Sequence, residues 1–264
     1  MKKLAIVLTA LAAFTGSAMA ADMAPRYTKA PMPMPVAPSW TGFYIFGGGG
    51  GGLWASDQHI QSNPGGLPLT IDQRQGGSGW FGTVGAGYDW QVNGGWVAGI
   101  FADGQFGSLK GSVQDPLAGA GGITASMKME DAWAAGARLG YLVAPNVLSY
   151  VNGGYSGSHW AGSNLYGTVS GVAVGDHTNS FNRNGWFIGG GVENNLNIFG
   201  ITAPGWFMKT EYRSAFYNAK TVNELVDGTN VSVGRDIRLN NWTQTISTSL
   251  VYRFNWSGPV VAKY

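Results

Sequence analysis

The segment from Thr243 to Phe254 alternates in polarity almost residue by residue. Ile246, Thr248, Leu250, Tyr252 and Phe254 fall on one side of an extended chain, and Thr245, Ser247, Ser249 and Arg253 on the other. Val251 is the one apolar residue on the polar side. Side chains of a strand point alternately to its two faces, so a period of two held over about ten residues specifies a strand with one apolar and one polar side. Such a strand suits a wall between lipid and a polar interior, or one sheet of a water-soluble sandwich. The rest of the chain decides between them.

The first twenty residues read as an export signal. Lys2 and Lys3 precede an apolar stretch from Leu4 to Phe14, and Ala18-Met19-Ala20 fits a small-residue cleavage site. The apolar stretch is too short for a membrane helix, which takes about twenty residues. Without Lys2 and Lys3, the 16 basic residues fall to 14, equal to the 14 acidic ones. No basic patch interleaves with aromatics, so nothing points to nucleic acid. Cysteine is absent, which excludes disulfides, thiolate metal sites and cysteine nucleophiles. Charged residues make up 11% of the chain, well below the roughly 25% of soluble domains. A membrane protein without membrane helices must close its strands into a barrel, because only then is every backbone group paired in hydrocarbon.

Residues 21–39 are proline-rich and read as an extended periplasmic linker that could reach on the order of 60 Å. From Trp40 onward, strand-like runs occur at 40–54, 79–91, 96–107, 128–142, 147–157, 184–196, 206–217 and 242–254. Short connections at 92–95, 143–146 and 197–205 alternate with long ones at 55–78, 108–127, 158–183 and 218–241. That order predicts an all-β fold: an eight-stranded antiparallel up-and-down transmembrane barrel with brief periplasmic turns and long outer loops. Its expected extent is 40–254, with 255–264 as a C-terminal tail. Trp80 and Trp90, Trp96 and Phe106, Trp206 and Tyr217, and Trp242 and Phe254 bracket four of these strands. Ten tilted residues span about 25 Å, the height of an outer-membrane apolar band, and aromatic rings favour its two borders.

With the apolar face of each strand turned outward, Asp89, Asp103, Arg138, Glu193, Lys209, Glu211, Arg213 and Arg253 turn inward. Four acids meet four bases. An interior of eight strands is just wide enough to be filled by side chains, and a charge inside it requires a partner. These residues are expected to form ion pairs that plug the lumen; a gated ion pathway is the competing reading. Gly47 to Gly52 and the alternate glycines Gly85, Gly87, Gly136, Gly189 and Gly191 make room for large interior groups. The glycine run contains G-x-G-x-x-G but lacks the lysine, hydroxyl residue and helix of a nucleotide site. His59, His159 and His177 fall in outer loops, and neither Ser158-His159 nor Asp176-His177 can form a dyad along an extended chain. No catalytic, metal or cofactor site is expected.

Ala21-Asp22, the proline-rich linker, Trp40-Thr-Gly-Phe-Tyr44, Gly85-Ala-Gly-Tyr88, Arg138-Leu-Gly-Tyr141, Gly191-Val-Glu193, Lys209-Thr-Glu-Tyr-Arg213 and Val251-Tyr-Arg-Phe254 occur in this order. Together they resemble the alphaproteobacterial outer-membrane immunogenic protein family, a porin-like group of eight-stranded barrels. The resemblance implies an abundant envelope protein, a surface antigen with a role in envelope integrity. Its surroundings would be outer-membrane lipid and lipopolysaccharide, and its assembly would use the barrel-assembly machinery, with Phe254 or Tyr264 as the recognised terminus. It also implies that peptidoglycan can be joined to the amine of Ala21, with Asp22 completing the pattern. Two other roles stand as alternatives: a narrow porin for small solutes, and a receptor or adhesin working through the outer loops, of the haemin-binding type that the resemblance includes.

Overall fold

The structure is a computed structural model that describes residues 39–118, 121–198 and 201–254, without the side chains of residues 197, 198, 201 and 202. The expected leader, nearly all of the linker with Ala21 and Asp22, and the tail after Phe254 lie outside the described residues.

Eleven strands follow one another: β1 Gly42–Ser62, β2 Gln73–Val92, β3 Trp96–Asp115, β4 Ile123–Ala144, β5 Val147–Trp160, β6 Ser163–Gly167, β7 Ala173–Thr178, β8 Phe181–Ile198, β9 Ile201–Tyr217, β10 Lys220–Val226 and β11 Ser232–Arg253. Eight of them make a closed antiparallel ring in the order β1-β2-β3-β4-β5-β8-β9-β11. The seam between first and last strand runs from Tyr44 opposite Arg253 to Ser62 opposite Arg235. Closure leaves no edge strand in hydrocarbon, where an unpaired amide costs several kcal/mol. The β2–β3 connection is a tight turn over Asn93–Gly95, in which Gly94 and Gly95 take φ of 69° and 120°. Only glycine enters that region freely.

The outer wall is apolar. Phe43, Ile45, Val84, Ile100, Leu139, Val151, Ile188, Ile246 and Leu250 are all exposed. On a protein surrounded by water this continuous band would be anomalous; around a barrel it is the surface that meets lipid. Aromatic girdles border it. Trp90, Trp96, Tyr141, Trp206 and Tyr252 lie toward the short turns, while Trp80, Phe106, Trp133, Tyr155, Trp186 and Phe216 lie toward the other end. Neighbouring strands pair their rings, as in Trp96–Tyr141 at 5.3 Å and Trp186–Phe216 at 4.6 Å between centroids.

Beyond the second girdle the wall does not dissolve into loops. Strands β1 to β4 and β11 continue, β5, β8 and β9 stop, and β6, β7 and β10 take their places through the pairings β4–β6, β6–β7, β7–β10 and β10–β11. The expectation of long loops at 55–78, 108–127, 158–183 and 218–241 is therefore corrected: each contains strand, and the barrel has a second storey. The polarity phase inverts here. Trp54, Ile60, Leu109, Val113, Met127, Met129, Ile237 and Leu239 now point inward as one apolar cluster, while Asp57, Arg74, Lys110, Arg238 and Asn240 lie outside. Water has replaced lipid as the outer solvent, so the apolar face turns to the core. At the opposite end the expected connection at 197–205 is also shorter, because β8 runs to Ile198 and β9 resumes at Ile201.

Candidate functional site: the charged lumen

Within the membrane-spanning storey the interior is filled by aromatic rings and two layers of charge. The layer nearer the short turns joins Asp89 on β2, Arg138 on β4, Glu193 on β8 and Arg253 on β11. Arg138 donates from Nε to Asp89 Oδ1 at 2.9 Å, from Nη1 to Glu193 Oε2 at 3.0 Å, and from Nη2 to Asp89 Oδ2. Arg253 donates from Nε to Glu193 Oε1 and from Nη2 to Asp89 Oδ2, both at 2.8 Å, and from Nη1 to the carbonyl of Trp40. Each arginine thus touches both acids. The Tyr44 ring lies beneath both guanidinium groups, 4.4 Å from Arg138 and 4.9 Å from Arg253. Trp40, 1% exposed, stacks 4.4 Å from Arg253 and closes this end.

The second layer joins Asp103 on β3 to Lys209, Glu211 and Arg213 on β9. Arg213 donates to Asp103 Oδ1 at 2.9 Å and Oδ2 at 2.6 Å, a bidentate pair, and to Glu211 Oε1 at 2.7 Å. Tyr150 on β5 donates to Glu211 Oε2 at 2.8 Å. Lys209 Nζ lies 3.6 Å from Glu211 and 3.4 Å from the centre of the Phe46 ring on β1. The ring strands alternate: second, fourth, sixth and eighth supply one layer, and the odd-numbered strands supply the other. Each layer has two acids and two bases, so each is neutral by itself. All eight charged side chains are buried. Glycine clears the space. A Cβ on Gly87 would stand 2.4 Å from Tyr44 Oη, and one on Gly99 would stand 2.0 Å from Asp89 Oδ1.

The structure thus brings the eight interior charges named from the sequence into these two quartets. Sequence reasoning missed the rings that complete them: Trp40, Tyr44 and Tyr150. Their inward positions follow from the same alternation, but aromatic residues had been assigned to the lipid borders. It also missed a group in the outer storey. Arg235 on β11 donates to Asp115 on β3 at 2.9 Å and lies 3.7 Å from Glu224 on β10. Glu224 is fully buried and neither carboxylate oxygen has a hydrogen bond. Burial first, and then the negative charge of Asp115, push its pKa up to about 7 against the opposing pull of Arg235.

The histidines sit on the outside of the outer storey. His59 pairs with Asp72 at 2.9 Å, His159 with Asn182 at 2.6 Å, and His177 with Asp227 at 2.7 Å. Among the described residues none of the three hydrogen-bonds a hydroxyl group. Ser158 points inward and accepts from Trp160 Nε1, away from His159.

The sequence profile of the outer membrane protein β-barrel domain matches residues 6–254. The 31 kDa outer-membrane immunogenic protein of Brucella melitensis is 30% identical over 268 residues, an alignment spanning 94% of this chain and 99% of the relative; its counterpart from Brucella suis gives the same figures. Among solved structures, the outer membrane protein OprG from Pseudomonas aeruginosa superposes with a TM-score of 0.55 at 10% identity, covering 83% of this chain and 99% of that one, a likeness of fold. A closed ring of eight strands, an exposed apolar band and these relatives together place the chain in the Gram-negative outer membrane, as a member of the β-barrel family that includes the 31 kDa outer-membrane immunogenic proteins.

Proposed function

We propose that the protein is a closed, non-conducting barrel that reinforces the outer membrane and presents its outer storey as a surface antigen. The supporting observation is the pair of neutral charge layers, which fill the lumen from wall to wall with hydrogen-bonded side chains. A permeating ion would have to separate Arg138 and Arg253 from Asp89 and Glu193, and breaking buried pairs of this kind costs several kcal/mol each. The test is conductance in planar bilayers for the wild type and Glu211→Gln. Both are expected to stay at the lipid baseline, with Glu211→Gln less stable. A large conductance that the substitution alters would overturn the reading in favour of a porin.

Tethering to the cell wall is a companion proposal that rests on sequence alone. Ala21-Asp22 at the expected mature start would offer its amine to a periplasmic transpeptidase, and the proline-rich linker would give it reach. Reinforcement of the envelope then acquires a mechanical partner in peptidoglycan.

A further inference from the structure

Between the charged lumen and the apolar cluster of the outer storey lies a thin polar layer, and its central member is an arginine with no acid. Arg183, on β8 and facing inward, is 3% exposed. Its Nη2 donates to the carbonyl of Leu239 on β11 at 2.6 Å, whereas Nε and Nη1 have no partner. No described carboxylate forms an ion pair with it; its one hydrogen bond among the described residues is to the Leu239 carbonyl. Every interior arginine of the two charge layers, by contrast, contacts two acids.

Further unpartnered groups occupy the same layer. Asn241 is the next inward residue after Leu239 on β11, is 1% exposed, and leaves both side-chain atoms without hydrogen bonds. Ser56, directly opposite Asn241 on β1, is 0% exposed and its hydroxyl is likewise unpartnered. A guanidinium stays charged under all physiological conditions. An isolated buried charge is costly, and buried polar groups without partners are rare enough to require explanation. Here the unpartnered groups include two guanidinium nitrogens, an amide and a hydroxyl, all able to donate.

Beside Arg183, among the described residues, no strand pairing joins the two storeys. Pairing of β8 with β9 begins at Gly185 opposite Tyr217, while β10 pairs with β7 and β11. Residues Phe181 to Arg183 therefore have no strand on their β9 side. A cleft of about 420 Å³ opens at this seam, lined by Asn179, Phe181, Asn182, Lys220, Val222 and Asn223. Lys220, exposed at its rim, supplies a positive mouth. Phe181 lines the cleft, and the Arg183 guanidinium, which does not line it, lies over that ring at 5.7 Å from its centroid.

We propose that Arg183 is the recognition group of an internal site for a small monovalent anion, a halide or a simple carboxylate, admitted through the seam between β8 and β10. The anion accepts from Nε and Nη1, with Asn241 and Ser56 as neighbouring donors, and supplies the negative charge that every other buried arginine of the lumen finds in a side chain. The site lies above the two charge layers, so it needs no path through the barrel.

Crystals of the full chain in sodium bromide give the direct test. An anomalous bromide peak in hydrogen-bond contact with Nε or Nη1 of Arg183 is the expected result; bromide found at surface sites with none at Arg183 would overturn the proposal. Excess sodium formate then identifies the ligand class, since a carboxylate site loses the bromide peak and a halide-selective site keeps it. In detergent solution at fixed ionic strength, replacing sodium sulfate with sodium bromide should raise the thermal midpoint of the wild type relative to that of Arg183→Gln, the comparison cancelling the general salt effect. An equal shift in both proteins would also overturn it. The crystallographic result uses the native chain and stands even if the variant does not fold.

Discussion

Replacing Arg138 by methionine tests the view that the lumen is held by a balanced layer of charge. The substitution preserves an unbranched apolar stem and removes three hydrogen bonds, two to Asp89 and one to Glu193. Arg253 then faces both acids alone, and the layer carries a net charge of minus one. Removing one partner of a buried pair costs about 3–5 kcal/mol, because the remaining charge keeps its desolvation penalty. With a urea dependence of about 2 kcal/mol/M, the unfolding midpoint should fall by about 2 M. Tryptophan fluorescence of the purified barrel in detergent micelles follows the transition, with heat-modifiable electrophoretic mobility as the check on folding. Adding Glu193→Gln to the same chain restores neutrality, leaving Asp89 paired with Arg253. The double variant should lose less than the sum of the two single losses, by about 1–3 kcal/mol for groups in direct contact. A single variant within about 1 kcal/mol of the wild type, or strictly additive losses, would refute the charge-balance argument.

Other predictions follow from separate features. A Cβ at Gly50 would stand 2.1 Å from the carbonyl oxygen of Ile246, whereas one at the outward-facing Gly47 meets nothing closer than 3.8 Å; Gly50→Ala should lose about 1–3 kcal/mol from overpacking and Gly47→Ala less than about 0.5 kcal/mol, read from the same urea transitions. For Glu224 the folded pKa of about 7 lies above the unfolded value of 4.5, so the folded state binds the extra proton and stability falls as pH rises between these values. Glu224→Gln should flatten that part of the profile and raise the thermal midpoint at pH 8; an unchanged profile would remove Glu224 as its source. Sacculi boiled in detergent and digested with trypsin and muramidase should yield the peptide Ala21–Arg26 carrying a peptidoglycan fragment on its amine, and recovery of the free peptide alone would sink the tether.

The membrane-spanning part was legible because lipid outside and charge inside impose opposite polarities on adjacent residues. In β11, Ile246, Leu250 and Tyr252 alternate with Thr245, Ser249 and Arg253, and both faces of the wall can be read at once. Further along the same strand, Ile237 and Leu239 turn inward while Arg238 and Asn240 turn out. A search for apolar residues facing outward ends there, although the strand continues to Ser232. The short strands β6, β7 and β10 were less accessible still, since five to seven residues contain little periodicity and their partners are distant in sequence. Arg183 and Glu224 were missed for a related reason: both lie where the inward face changes from polar to apolar or beyond it.

The lower quartet also bears on how the barrel can be put together. Asp89, Arg138, Glu193 and Arg253 stand on four strands of which no two are neighbours in the ring. A nascent hairpin therefore carries one member of this quartet at most and cannot assemble it. Neutralisation waits for the final meeting of β1 with β11, which brings Arg253 to Asp89 and Glu193. An incomplete sheet leaves this quartet short of one base and resists transfer into hydrocarbon. The interior thus acts as a checkpoint for assembly: a chain truncated before Arg253 can form every earlier hairpin and still lack the charge that lets the wall close.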